Sequence, residues 1–195
     1  MTGPGLKADL HHYLQRGRED VLWKLENLSE YGVRRPMTRT GTNLLGLVKH
    51  LAYMELEYFG VAFGRPSAEA LVWDDHDEPN VDMWATAQES RDEILALYRR
   101  AWAHADATID ALDVDAPGSI PWWPPERRRV TLHRVLVHTT VETQRHAGHA
   151  DIVRELVDGA VGLRETVPNL PDLDDGWWSG YRDRLEAVAR QADGG

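Results

Sequence analysis

An all-α fold, four long helices packed as a bundle with a short helix after them, is what this 195-residue sequence predicts. Three observations carry that expectation. Apolar residues recur at helical spacing over four long stretches, while no run of useful length alternates with the period of a strand. A long connection separates the second stretch from the third, as two helices running the same way require. The fourth stretch, Val130 to Gly159, is an unbroken apolar ladder into which His138, Glu142, His146 and His149 are set. An ionisable group on a buried helix face is costly unless something pairs with it. Those four residues therefore call for a shared explanation.

Residues 1–5 read as a frayed start. From Leu6 to about Ser29, the residues Leu10, Tyr13, Leu14, Val21, Leu25 and Leu28 recur at helical spacing. His11 and His12 sit in its first turns as surface or capping groups, since no partner stands one turn away. Gly32 to Thr42, with Pro36 and Gly41, is a loop. Thr42 is the expected N-cap of a second helix over Asn43 to Phe63. That segment is apolar almost all round, which places it at the centre of the bundle. His50 is its exception, sharing a stripe with Leu47, Met54 and Val61, with Glu57 at the edge.

Arg65 to Met83 is the long connection, with Pro66, Pro79 and the acidic run Asp74-Asp75-His76-Asp77-Glu78. It lacks the glycine and ligand spacing of a calcium loop and reads as solvated. A third helix runs from about Trp84 to Leu112, burying Ile94, Leu97, Tyr98, Ala101, Ala105 and Ile109. The rigid loop PGSIPWWPP then delivers Trp122 and Trp123, which either wall a ligand pocket or plug the end of the bundle. Arg127 to Arg129 follow, a solvated charge run by default, with contact to an anionic substrate as the alternative reading. After the fourth helix, Gly162 to Asp175 is a Pro-rich acidic linker. Gly176 to Ala192 is a last helix whose aromatic opening suggests docking onto the bundle. We read 1–195 as one domain, with a core of about 6–160 and the linker and last helix over 161–195.

Composition narrows the function. A net charge of −10 argues against a general nucleic-acid binder. No stretch approaches the length needed to cross a bilayer and no signal peptide is visible, so a cytoplasmic protein is expected. There is no cysteine, which excludes thiolate zinc ligands and a protein thiol nucleophile. Any metal site must be built from His and carboxylates, and any thiol chemistry needs a thiol from outside. The 19 Arg against 3 Lys suggest a GC-rich bacterial genome.

With His138 at 0° on a helical wheel, Glu142 lies at about 40°, His146 at about 80° and His149 at about 20°. Val135, Val153 and Leu156 share that sector, so it is expected to face the core. Glu142 and His146, four residues apart, point the same way and can offer two ligands to one ion. His50 on the central helix is the natural third. Two histidines and a glutamate form the composition of a catalytic zinc site with one position open, and nickel, iron or manganese would also be accepted. A competing triad is His50, His146 and His149, with Glu142 as partner or base. His138 is another neighbour of Glu142 and a candidate to orient it. Spacing also admits a buried His–Glu network with no metal.

Two segments, TRTGTNLLGLVKHLAYMELEYF (Thr38–Phe59) and LHRVLVHTTVETQRHAGHADIVRELVDG (Leu132–Gly159), resemble the DinB-like superfamily of four-helix metalloproteins. The branch is the one related to mycothiol-dependent maleylpyruvate isomerase, and the resemblance extends over about 150 residues. It implies an up-up-down-down bundle with a long crossover, and a metal held by His50, Glu142 and His146. Glu142 fits the isomerase-like branch, where much of the superfamily has histidine. His146-Ala147-Gly148-His149 stands where the superfamily has His-Arg-Gly-Gln, which leaves His149 and His138 as pocket candidates. The implied activity is metal-dependent activation of an external thiol such as mycothiol, for transfer to a small electrophile or for isomerising one. A hydrolase using metal-bound water and a non-catalytic metal-binding stress protein are the alternatives. A homodimer with the Trp-rich tail as its contact is the expected assembly, if there is one.

Overall fold

The computed structural model describes residues 5–71, 73 and 78–194. Residues 1–4 of the expected frayed start and 74–77 of the acidic run lie outside the described residues. The fold is all-α with one small hairpin. Six helices appear in order: α1 Leu6–Trp23, α2 Glu30–Arg34, α3 Leu44–Glu55, α4 Arg91–Ala111, α5 Leu132–Asp158 and α6 Asp175–Asp193. α1 packs on α5, and α3 packs on both α4 and α5. Leu14, Val48, Leu51, Tyr98, Val135 and Leu136 are among the side chains fully buried where these helices meet.

Several boundaries differ from those expected, each for a local reason. The first helix stops at Trp23, not Ser29, and the carbonyls of the turn that follows find an outside donor. Arg154 of α5 donates to the carbonyls of Lys24 and Glu26 at 3.0 and 2.9 Å, an arrangement that satisfies groups the helix cannot pair itself. Ser29 caps the short α2 instead, accepting from the Gly32 N–H. Asn43, and not Thr42, caps α3, accepting from the Gly46 N–H at 2.7 Å. α3 then continues as a π-turn, Leu56–Gly60, and a 3-10 turn, Val61–Phe63. α4 begins at Arg91 rather than Trp84, because Ser90 and Glu93 close a capping box there. Gly159, at φ +81°, ends α5 in the left-handed conformation that suits glycine.

A two-stranded hairpin was not expected. β1 Pro117–Ser119 pairs antiparallel with β2 Arg129–Thr131, Gly118 opposite Val130. It anchors the loop carrying Trp122 and Trp123. α6 buries none of its residues, so the expectation that its aromatic opening docks onto the bundle is not met. Trp177 instead stacks on Tyr181 of its own helix, ring centroids 5.1 Å apart.

One close approach decides where the long connection goes. The 3-10 turn Val81–Met83 lies directly on α3. It is held by Asn43 Nδ2 donating to the Met83 carbonyl at 3.1 Å, and by Lys49 Nζ donating to the Trp84 carbonyl at 3.0 Å. A Cβ at position 46 would stand 1.8 Å from the Met83 carbonyl oxygen, so only glycine fits. Gly46→Ala is expected to lower stability by about 1–3 kcal/mol through overpacking against backbone, read as a drop in Tm. An unchanged Tm would show that the turn does not need this approach.

Candidate active site

Burial on α5 is centred at about 120° on the wheel used above, along Val135, Thr139, Thr143, Ala147, Ala150 and Val153. Leu156, expected in the core, is 58% exposed. His138, Glu142 and His146 therefore lie on the flank of the buried face, between core and solvent, and His149 is exposed. The flank position explains how α5 tolerates them. Each is only partly desolvated.

That flank meets α3. The His50 and His146 rings stand edge to face, centroids 4.9 Å apart. Glu142 Oε2 is 3.9 Å from His146 Nε2. His149 Nδ1 is 3.3 Å from His146 Nδ1, on the outer side. His146 thus stands next to both His50 and Glu142, although among the described residues no set of three His, Asp or Glu side chains converges closely enough to grip a metal ion as arranged.

A cavity of about 400 Å³ opens beside this cluster, lined by His50, Met54, Glu57, Tyr58, Trp73, Asp82, Trp122, His138 and Glu142. Glu142 lines it and His149 does not. The π-turn after α3 presents Glu57 and Tyr58, and widened turns of this kind recur at functional sites. The two tryptophans divide the roles between them. Trp122 walls the cavity. Trp123 packs against the core, and its indole N–H donates to the Tyr58 hydroxyl at 3.1 Å. The His138 ring is wedged between Tyr58 and Trp123, at 4.8 and 5.1 Å.

Sequence reasoning missed three lining residues. Asp82 Oδ2 lies 2.6 Å from His50 Nδ1, brought there by the turn that Gly46 admits. Trp73 packs on Tyr53, centroids 5.5 Å apart, and faces the cavity from the long connection. No local pattern marks either. Tyr58 was within reach, since it follows His50 and Met54 at four-residue steps along one helical stripe. Two expectations also need correcting. His11, read as a surface or cap residue, has a partner on α4, Asp106 Oδ1 at 2.8 Å. Arg127 places its guanidinium over the Trp123 ring and Arg128 donates to the Trp123 carbonyl, so that pair of the charge run braces the loop.

The electrostatics follow from burial. His146 is pushed down to about 4, first by desolvation and then by His50 and His149 beside it. His138 is lowered by desolvation, against the pull of Glu142. Burial alone would raise Asp82, but the hydrogen bond and charge of His50 outweigh it and hold the carboxyl below its usual range. Tyr58 is raised by burial and keeps its proton. A histidine held low in the folded chain stabilises it above its unfolded value of 6.5, and that stability is lost as pH falls toward about 4. Metal-free protein is expected to lose up to about 3 kcal/mol from this group over that window. His146→Gln should lose less over the same range in pH-dependent thermal denaturation, and identical pH profiles would refute the assignment.

A family model described as mycothiol S-transferase matches residues 9–159. The chain belongs to the mycothiol S-transferase family. A search of curated proteins found no match. The region matched to the mycothiol S-transferases runs from α1 to the end of α5 and contains every residue lining the cavity. α6 lies beyond it. No helix among the described residues is long and apolar enough to cross a membrane.

Proposed function

We propose that the protein is a metal-dependent mycothiol S-transferase that moves the thiol onto a small electrophile, with a divalent ion, zinc foremost, held by His50, Glu142 and His146. The observation that carries this reading is the pairing of the His50 and His146 rings at 4.9 Å beside a cavity that Glu142 also lines. Two imidazoles and a carboxylate are the donor set of a zinc site with one position left open, and nickel, iron or manganese suit it too. Asp82 on Nδ1 of His50 fixes the ring and leaves Nε2 as the free nitrogen, the usual support for a metal-binding histidine. His146, held neutral by its surroundings, needs no deprotonation to act as a ligand. Because His149 is exposed while Glu142 is half-buried and lines the cavity, Glu142 is preferred to it as the third ligand. We read the four long helices as the up-up-down-down bundle that the family resemblance implies.

Held by His50, Glu142 and His146, a divalent ion would lower the pKa of a coordinating thiol and make thiolate available near neutral pH. The remaining work belongs to the cavity walls. His138, kept neutral, takes up the thiol proton. Tyr58 accepts from Trp123 and so keeps its own hydroxyl proton to donate to the electrophile. Trp122 and Trp73 limit water and orient the electrophile by its apolar face.

Metal content of the purified protein, and product formation from mycothiol and a chromogenic electrophile before and after chelation, test the reading. Stoichiometric metal and activity abolished by chelation and restored by zinc are expected. Turnover indifferent to chelation would remove the metal, and turnover without thiol would point to hydrolysis instead.

A further inference from the structure

The cavity wall carries information about the electrophile. Its apolar part is Met54, Tyr58, Trp73 and Trp122. Its polar part is imidazole and carboxylate, with Asp82, Glu142 and Glu57 all on the lining. No lysine or arginine lines it among the described residues.

Three cations near the cavity have partners outside its lining. The guanidinium groups of Arg127 and Arg134 lie over the Trp123 ring at 5.5 and 5.2 Å. Lys49 is held by Glu89 at 2.7 Å and by the Trp84 carbonyl. A substrate carboxylate entering here would lose water and gain no charged donor, which is costly. A divalent ion held by His50, Glu142 and His146 would add two positive charges, against which Glu142 and the Asp82 behind His50 set two negative ones. Flat aromatic walls instead suit a planar uncharged molecule, which they contact face or edge on.

We infer that the enzyme selects uncharged, planar aromatic electrophiles and discriminates against those bearing a carboxylate. The inference rests on the transferase reading and specifies its substrate class. With an activated aryl chloride the step balances simply. The thiolate sulfur bonds to the ring carbon, the carbon–chlorine bond breaks, and chloride leaves with the bonding pair. The thiol proton has already passed to His138 or to solvent. No oxidant or reductant is required.

Mycothiol transfer to chlorodinitrobenzene and to its ring-carboxylate analogue, chlorodinitrobenzoate, tests this, each rate divided by the uncatalysed rate with the same thiol. The normalised kcat/KM is expected to be at least about tenfold lower for the carboxylate. Trp122 is 43% exposed at the cavity rim, where a long side chain can be accommodated. Trp122→Arg should therefore raise the relative rate with the carboxylate, and Trp122→Phe should keep the original preference. Equal normalised rates in the native protein would overturn the inference while leaving a transferase. A ratio unmoved by Trp122→Arg in a folded variant would also overturn it. Transfer to neither compound would sink the transferase reading and this inference with it.

Discussion

His50→Ala and His146→Ala are each expected to abolish tight metal binding and lower mycothiol transfer by about a thousandfold, the equivalent of about 4 kcal/mol of lost transition-state stabilisation. Each change removes one of the two rings that meet at 4.9 Å, leaving too few donors for a three-ligand site. Asp82→Asn is expected to act more gently. It keeps an oxygen near His50 Nδ1 but removes the charge, so metal affinity should fall about 10–100-fold, as when other supporting carboxylates are lost. His149→Ala should leave affinity almost unchanged, because that ring is exposed and outside the cavity lining. Competition with a chromogenic chelator measures all four variants directly, independent of turnover. Retained affinity in His146→Ala, or a loss in His149→Ala as large as in His50→Ala, would assign the ligands wrongly here.

The largest effect on stability should come from Arg18→Met, at about 3–5 kcal/mol. That is a large share of the whole stability of a typical domain. Arg18 is fully buried on α1 and donates twice to Glu55 at the end of α3, at 2.9 and 2.6 Å. It also donates to Asp106 on α4 at 2.7 Å. One guanidinium thus fixes three helices against each other. Burial works against its charge, but Glu55 and Asp106 more than offset that. Removing Arg18 strands a carboxylate that burial already pushes upward. Replacing both partners by apolar residues, Arg18→Met with Glu55→Leu, should restore much of the loss, since an uncompensated charge costs more than a missing pair. Urea denaturation of the single and double variants checks this, and equal losses in both would contradict it. Glu55 also directly precedes the π-turn that carries Glu57 and Tyr58, so the same pair steadies one wall of the cavity.

Much of this protein was legible along the chain because helical period is a local property. The identities of α3 and α5, the glycine that ends α5, and the common side of Glu142 and His146 all follow from spacing of three and four residues. His50 stood out as the ionisable residue on an apolar stripe. Ordering around those residues was not local. On α5 the periodicity pointed to a core sector, but packing against α1 and α3 buries the adjacent sector and leaves Leu156 in solvent. For α6 the aromatic opening suggested docking, and an aromatic cluster alone does not supply a surface to cover it.

The partners of the ionisable groups were decided entirely by the tertiary structure. Asp82 reaches His50 from thirty-two positions away only because Gly46 lacks a side chain and lets the 3-10 turn lie on α3. Arg18 finds Glu55 and Asp106, and Arg154 finds the carbonyls of the turn after α1, across helix interfaces that no sequence period encodes. The sequence by itself determined which residues could be ligands, since side-chain direction repeats along a helix. Which carboxylate orients them, which aromatic rings wall the cavity and which cations stay out of it depended on how close two backbones could come.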